Sequence, residues 1–303
     1  MRPPMNEYAA AAIPPASPAR RVAAALYRRP RIQLAALLAA PIGWLVIAYL
    51  GSLALFLITS FWQFDSFTAS VVTKPTLDNY GEILGEGIYR TITIRTVVMA
   101  FAVTATTVIV GFPIAFYMAR VASARMRGLL VVSILLPLWS GYLVKVYAWR
   151  LILSEQGVLN WALAPLGLHG PGYSIEAVWI VESYLWLPYM IIPIFAGLER
   201  IPGSLLEASS DLGGRAGMTF RRVILPLAMP AVVAGAIFTF SLTLGDYITP
   251  TLVSNTKFIG NAVYDLVGVA GNQPLAAAFA MVPVTIMLVF LLVARRLGAF
   301  EAV

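Results

Sequence analysis

The sequence predicts an all-α integral membrane protein with six transmembrane helices. Two observations carry this. The 303 residues are 60% hydrophobic and only 12% charged, whereas soluble domains hold about 25% charged residues, so this chain cannot cover its surface with polar groups. Six apolar runs, separated by polar loops, come close to or exceed the roughly 20 residues needed to cross a hydrocarbon core. A third observation, the distribution of basic residues, orients them.

Residues 1–32 are rich in Ala and Pro and end in Arg20, Arg21, Arg28, Arg29 and Arg31. They predict a cytoplasmic tail, disordered or lying on the membrane surface. A secretory signal would have a shorter basic part and a shorter apolar run. The membrane domain then occupies 33–297, and 298–303 form a cytoplasmic C-terminal tail. The apolar runs cover about 34–61, 93–119, 129–149, 177–198, 223–244 and 275–294. Pro113, Pro137, Pro188, Pro193, Pro230 and Pro283 fall inside them. Membrane helices tolerate such prolines where neighbouring helices, side chains or water satisfy the freed carbonyls, so these predict kinked helices lining a cavity.

With the N-terminus inside, 15 of the 21 Lys and Arg lie in cytoplasmic segments. The other six are Lys74, Arg90, Arg95, Lys145, Arg150 and Lys257. This positive-inside bias predicts two cytoplasmic termini and a cytoplasmic loop at 199–222. The net charge of +7 is accounted for by topology, with no nucleic-acid partner required. The chain has no cysteine and one histidine, His169, so disulfides, thiolate metal sites and multi-His metal sites are excluded. No nucleophile–base pairing, paired-carboxylate arrangement or Gly-x4-Gly-Lys-Ser/Thr phosphate loop is visible. The sequence therefore predicts a non-catalytic chain with no cofactor or metal of its own.

The 199–222 loop carries the most information. Ser204 and Glu207 have the spacing of a capping box, predicting a short helix through Leu212. Gly213-Gly214 would end it in the left-handed conformation, and Thr219-Phe220 lead into the fifth span. The predicted unit is helix, turn, helix along the membrane face. Ala208, Ser209 and Gly213 are small enough for another protein's backbone to approach, and Glu207 offers a carboxylate to a basic partner.

Glu207-Ala208, Gly213 six residues after the Glu, and Val223-x-Leu225-Pro226 resemble the EAA loop of binding-protein-dependent ABC permeases. The chain departs from the pattern at Ser209, often Ala, and at Arg215, where a small residue is common. Thr76-Leu77-Asp78-Asn79-Tyr80, Lys145-Val146-Tyr147-Ala148-Trp149 and the stretch from Ser241 to Tyr247 are similar to segments of spermidine/putrescine-type permeases. The resemblance implies the type I ABC importer permease (MetI-like) fold in a bacterial inner membrane. It implies two ATPase subunits, which bind ATP and Mg and grip Ser204, Glu207, Ala208, Ser209, Asp211, Gly213 and Arg215. It also implies a second permease subunit, in a heterodimer, and an extracytoplasmic solute-binding protein.

Ionisable groups within a span are costly and mark function. Glu182, near Trp179, Tyr184 and Trp186, and Asp246, beside Tyr247, offer carboxylates and aromatic faces. Both suit an organic cation, through charge-assisted hydrogen bonds and cation–π contact; a polyamine fits. Alternatively, Glu182 pairs with Lys145 or Arg95 to hold helices together. Lys145 and Arg95 could also receive an anionic solute. Another small solute by the same mechanism, or a stand-alone secondary transporter, are the competing functions. Secondary transporters are commonly built from paired repeats, and this chain shows none.

Overall fold

The computed structural model describes residues 30–296. The predicted tail at 298–303 and residues 1–29 of the predicted 1–32 tail lie outside the described residues; residues 30–32 already belong to a helix. Two units separate, one ending at Phe56 and one beginning at Leu57.

The first unit is helical along its described length. Helix α1, Pro30–Trp44, runs through a π-helical turn, Leu45–Leu50, into α2, Gly51–Thr59, whose end belongs to the second unit. Gly51 N–H bonds to Val46 O, the i→i−5 pattern of the π turn. The span Leu37–Thr59 is apolar enough to cross a membrane, matching the first predicted run.

In the second unit a hairpin follows, β1 Gln63–Asp65 against β2 Ser70–Val72, antiparallel, with Phe64 opposite Val71. Helix α3, Asp78–Gly85, is pinned by its own sequence motif. Asn79 Nδ2 donates to the carbonyls of Ser60 (2.9 Å) and Trp62 (2.8 Å). Tyr80 Oη shares a 2.7 Å hydrogen bond with Ser60 Oγ. The Thr76–Tyr80 segment is thus a structural clasp.

Helix α4, Gly87–Arg120, has 34 residues, about 51 Å at 1.5 Å per residue, and overruns the ~30 Å hydrocarbon core. The third apolar run is not the single helix expected. It is α5, Ala124–Trp139, and α6, Tyr142–Leu153, bent by 95°. The break falls at Ser140-Gly141, where both residues are extended (ψ near 141°), three residues after Pro137. The short α7, Val158–Leu163, leads to α8, Ile175–Glu199, capped by Ser174 Oγ accepting from Ala177 N–H (3.2 Å).

The fifth span is continuous over Ala216–Gly245: α10, Ala216–Thr219, after the short α9, Gly203–Asp211, then a π turn, Phe220–Ile224, and α11, Leu225–Gly245. Helices α12, Ile248–Val253, and α13, Ile259–Gly268, precede the last span, α14, Gln273–Arg296. Among the described residues, five helices are long and apolar enough to span, and six if the bent α5–α6 pair is counted as one span.

Helices α4, α8 and α11 pack together as the centre of this unit. Side-chain volume sets how close they come. A Cβ on Gly235 of α11 would stand 3.2 Å from Met190 Cα and 3.3 Å from Met190 O on α8, so any larger residue would push the two helices apart by a few tenths of an ångström. Close approach through small residues is how membrane helices gain packing energy.

Candidate functional site

Two regions hold the predicted functional residues. The first is the 199–222 loop, which folds as the expected helix, turn, helix. The capping box does not form. Helix α9 starts at Gly203 with Pro202 at its cap (φ −63°, ψ 140°) and no side-chain cap bond. Proline's fixed φ and missing N–H suit that position, so Ser204 lies inside the first turn. The end is as expected. Gly213 has φ +79°, Gly213 N–H bonds to Ser210 O and Gly214 N–H to Ser209 O, each at 2.8 Å. These are the two bonds of a Schellman motif.

Ser209, where the family pattern often has Ala, does a specific job. Its Oγ bonds to Thr219 Oγ1 at 2.8 Å, tying α9 to α10. Glu207, Ala208, Asp211, Gly213 and Arg215 are all exposed, and Leu212 is 89% exposed. The ion pairs among the described residues are Arg127–Glu199 and Lys257–Asp265, so Glu207, Asp211 and Arg215 are unpaired. An exposed leucine is thus flanked by unpaired charges and small residues.

The second region is a buried polar cluster where α6, α8 and α11 meet α12. Glu182 is 1% exposed, and its Oε2 has no hydrogen-bond partner. Its neighbours on α8, Val178, Val181, Leu185 and Trp186, belong to one apolar cluster with Met99 and Val103 of α4. Ser183 Oγ, Trp186 Nε1 and Thr243 Oγ1 are also buried without partners. Burying an unpartnered polar group costs about 1–3 kcal/mol, and more for a charge. Glu182 makes no ion pair with Lys145 or Arg95; Arg95 Nη1 donates instead to Lys257 O (2.9 Å). The helix-bracing alternative for Glu182 is therefore not realised.

Asp246 is 9% exposed and fully engaged. Tyr142 Oη donates to its two oxygens (2.6 and 2.5 Å). Its Oδ1 also accepts from the N–H groups of Ile248 (2.9 Å) and Thr249 (3.2 Å), so it caps the start of α12. Glu182 lies within electrostatic range of both Asp246 and Tyr142. Tyr142 stacks flat on Trp186, with ring centroids 5.8 Å apart and planes 8° apart. Tyr142 is not legible as a site residue in the sequence, where it falls within a single kinked third span. The Ser140-Gly141 dipeptide just before it was the available signal.

The remaining predicted residues are dispersed. Trp179 lines a cavity of about 490 Å³ with Arg95 and Glu176, and its Nε1 donates to Thr106 Oγ1 at 3.0 Å. Lys145 and Tyr184 line a smaller cavity of about 170 Å³ with Ser133 and Pro137. Tyr247 stacks on Tyr264 (5.2 Å, 13°). The structure brings together Glu182, Asp246 and Trp186, and adds Tyr142; Trp179, Tyr184, Tyr247 and Lys145 do not join one cage. Among the described residues, no group of three or more His, Cys, Asp or Glu is placed to hold a metal ion.

Comparison with known proteins places this geometry. Residues 107–300 match the family described as binding-protein-dependent transport system inner membrane component. The inner membrane ABC transporter permease protein YdcU of Escherichia coli K12 is 44% identical over 298 residues, covering 93% of this chain and 95% of that protein. The spermidine/putrescine transport system permease protein PotB of the same strain is 32% identical over 230 residues, covering 73% and 82%. Among solved structures, a chain of a bacterial alginate ABC transporter, crystallised with an alginate-bound periplasmic protein, superposes with a TM-score of 0.68. That match has 17% identity and covers 93% of this chain and 98% of that one. A chain of the methionine transporter MetNI gives 0.52 at 15% identity, covering 69% and 93%. These two structural likenesses show the fold, that of the ABC importer permeases.

Proposed function

We propose, because this chain belongs to the family of binding-protein-dependent transport system inner membrane components and is a non-catalytic ABC importer permease subunit, that it carries a small organic cation, most simply a polyamine. The observation that carries this is Glu182: a carboxylate oxygen buried without a partner, four residues before Trp186, which stacks on Tyr142, and within electrostatic range of Asp246. An ammonium group would supply the missing hydrogen bonds and charge, and the ring faces would add cation–π attraction. The likeness to the spermidine/putrescine permease PotB supports the same solute class.

Membership of the family supports the rest of the proposed system. Two ATPase subunits bind ATP and Mg and dock on the Glu207–Arg215 surface of α9 and its turn. A second, different permease completes the pore, and an extracytoplasmic binding protein delivers the solute. The chain sits in the bacterial inner membrane with both termini and α9 in the cytoplasm. ATP shifts the permease between inward-open and outward-open states only if the ATPase holds α9 differently in the two.

One observation favours a second solute class. Lys145 has no ion pair among the described residues and faces the cavity it shares with Tyr184, where an anionic group could bind. Uptake of radiolabelled putrescine in cells expressing the whole system, with competitors, separates the two. Competition by unlabelled putrescine and spermidine is expected. Failure of both to compete, with competition by an anion, overturns the cation reading and moves the site to Lys145.

A further inference from the structure

Both stems of the α9–α10 hairpin are fastened to the same end of α4. On the leading stem, Arg120, the last residue of α4, donates from Nη2 to Leu198 O (2.5 Å) and Ile201 O (2.8 Å). Ile201 is followed directly by Pro202, the cap of α9. On the trailing stem, Phe220 stands edge-on to Phe112 and Phe116 of α4, with centroids 5.7 and 6.0 Å apart and planes at 89° and 83°. Arg127 closes the joint. It donates from Nε to Met118 O (3.0 Å) and pairs through Nη1 with Glu199 (3.0 Å). Two guanidinium groups therefore meet the carbonyls at the C-terminal ends of α4 and α8, where the helix dipoles favour positive charge. Leu198, Ile201, Met118 and Ala119 lie in one apolar cluster, so the Arg120 bonds are partly buried, while the Arg127–Glu199 pair stays open to solvent.

We infer that Arg120 is a positioning residue that makes α4 the receiver of hairpin movement. From Arg120, α4 runs about 51 Å to Gly87. On the way, Met99 and Val103 pack in the same apolar cluster as Val181, Leu185 and Trp186 around Glu182. A rod held at both stems of the hairpin cannot stay still when the hairpin is displaced, and its tilt repacks the wall beside Glu182. Arg120 contributes nothing to the exposed α9 surface and touches no atom of the Glu182 cluster. It acts through the Leu198 and Ile201 carbonyls. This rests on the ATPase drive proposed above and is independent of which solute is carried.

The chain has no cysteine, so spin labels can be placed by two substitutions at the far end. Thr91→Cys marks α4, and the exposed Leu168→Cys marks the segment between α7 and α8. The complex, purified with its ATPase into lipid nanodiscs, is measured by double electron–electron resonance with and without a non-hydrolysable ATP analogue and Mg. The expected result is a nucleotide-dependent change of distance in the parent that falls to half or less in Arg120→Met and in Phe220→Leu, while the ATPase still co-purifies and hydrolyses ATP. If Arg120→Met fails to accumulate, Phe220→Leu and Arg120→Lys carry the comparison. A full distance change in the variants overturns the inference. So does loss of distance change, assembly and hydrolysis together in every variant, which would make the joint a simple brace. A parent complex with no nucleotide response sinks the ATPase-drive reading itself, and this inference with it.

Discussion

At the scale of single residues, the two carboxylates in the buried cluster have opposite circumstances. Asp246 accepts from Tyr142, Ile248 and Thr249; Glu182 keeps Oε2 unpaired. Asp246→Asn puts a donor where Tyr142 now donates and weakens the cap of α12. Hydrogen bonds to a charged group are worth about 1.5–3 kcal/mol in soluble proteins, and interhelical ones in membranes average about 0.6 kcal/mol. A loss of stability on the order of 1 kcal/mol is expected, seen as a lower melting temperature in detergent. Glu182→Gln keeps the shape of a buried side chain whose Oε2 has no partner, so its melting temperature should hold or rise. Its uptake should drop at least about tenfold, the loss of one charge-assisted bond to the solute. Unchanged uptake with a lower melting temperature would make Glu182 a structural residue.

At the scale of elements, how legible each was depended on whether its cause is local. The spans were legible because each needs a long apolar run, and the hairpin because Gly213-Gly214 can end a helix in only a few ways. The 95° break between α5 and α6 was hidden because Pro137, Ser140 and Gly141 each fit a merely kinked helix. Beyond the corner α6 packs on α12, a tertiary contact that local sequence does not reveal. The separation of Glu182 from Lys145 was hidden for a similar reason. Which face of α8 meets α6 is set by tertiary packing, not by spacing. For the hairpin, Gly213→Val places a β-branched side chain at φ +79°, a left-handed conformation costing about 1–2 kcal/mol. That substitution should splay α9 from α10, break the Ser209–Thr219 bond and reduce co-purification of the ATPase severalfold. Membrane insertion should remain intact. Glu207→Lys should do the same without disturbing the fold, because Glu207 is exposed and unpaired. Full ATPase recovery with either variant would show that this surface is not the docking site.

At the scale of the whole molecule, every functional statement depends on which side of the membrane holds the hairpin. Helix geometry fixes only that successive spans alternate. Charge chooses the side. The loop joining α8 to the fifth span carries Arg200 and Arg215, the first turns of that span add Arg221 and Arg222, and the turn joining α4 to α5 is flanked by Arg120, Arg125 and Arg127. The segment between α6 and α8 carries Glu155 and no Lys or Arg. Short loops rich in Lys and Arg remain cytoplasmic, so α9 should face the ATP-containing side and residues 154–174 the opposite one. Single cysteines in this cysteine-free chain can check it. Leu212→Cys, at an 89% exposed position, and Leu168→Cys, at a 55% exposed one, are treated in intact spheroplasts with a membrane-impermeant maleimide. Position 168 should label at once, and position 212 only after the membrane is opened. The reverse order would put α9 outside, beyond reach of any cytoplasmic ATPase.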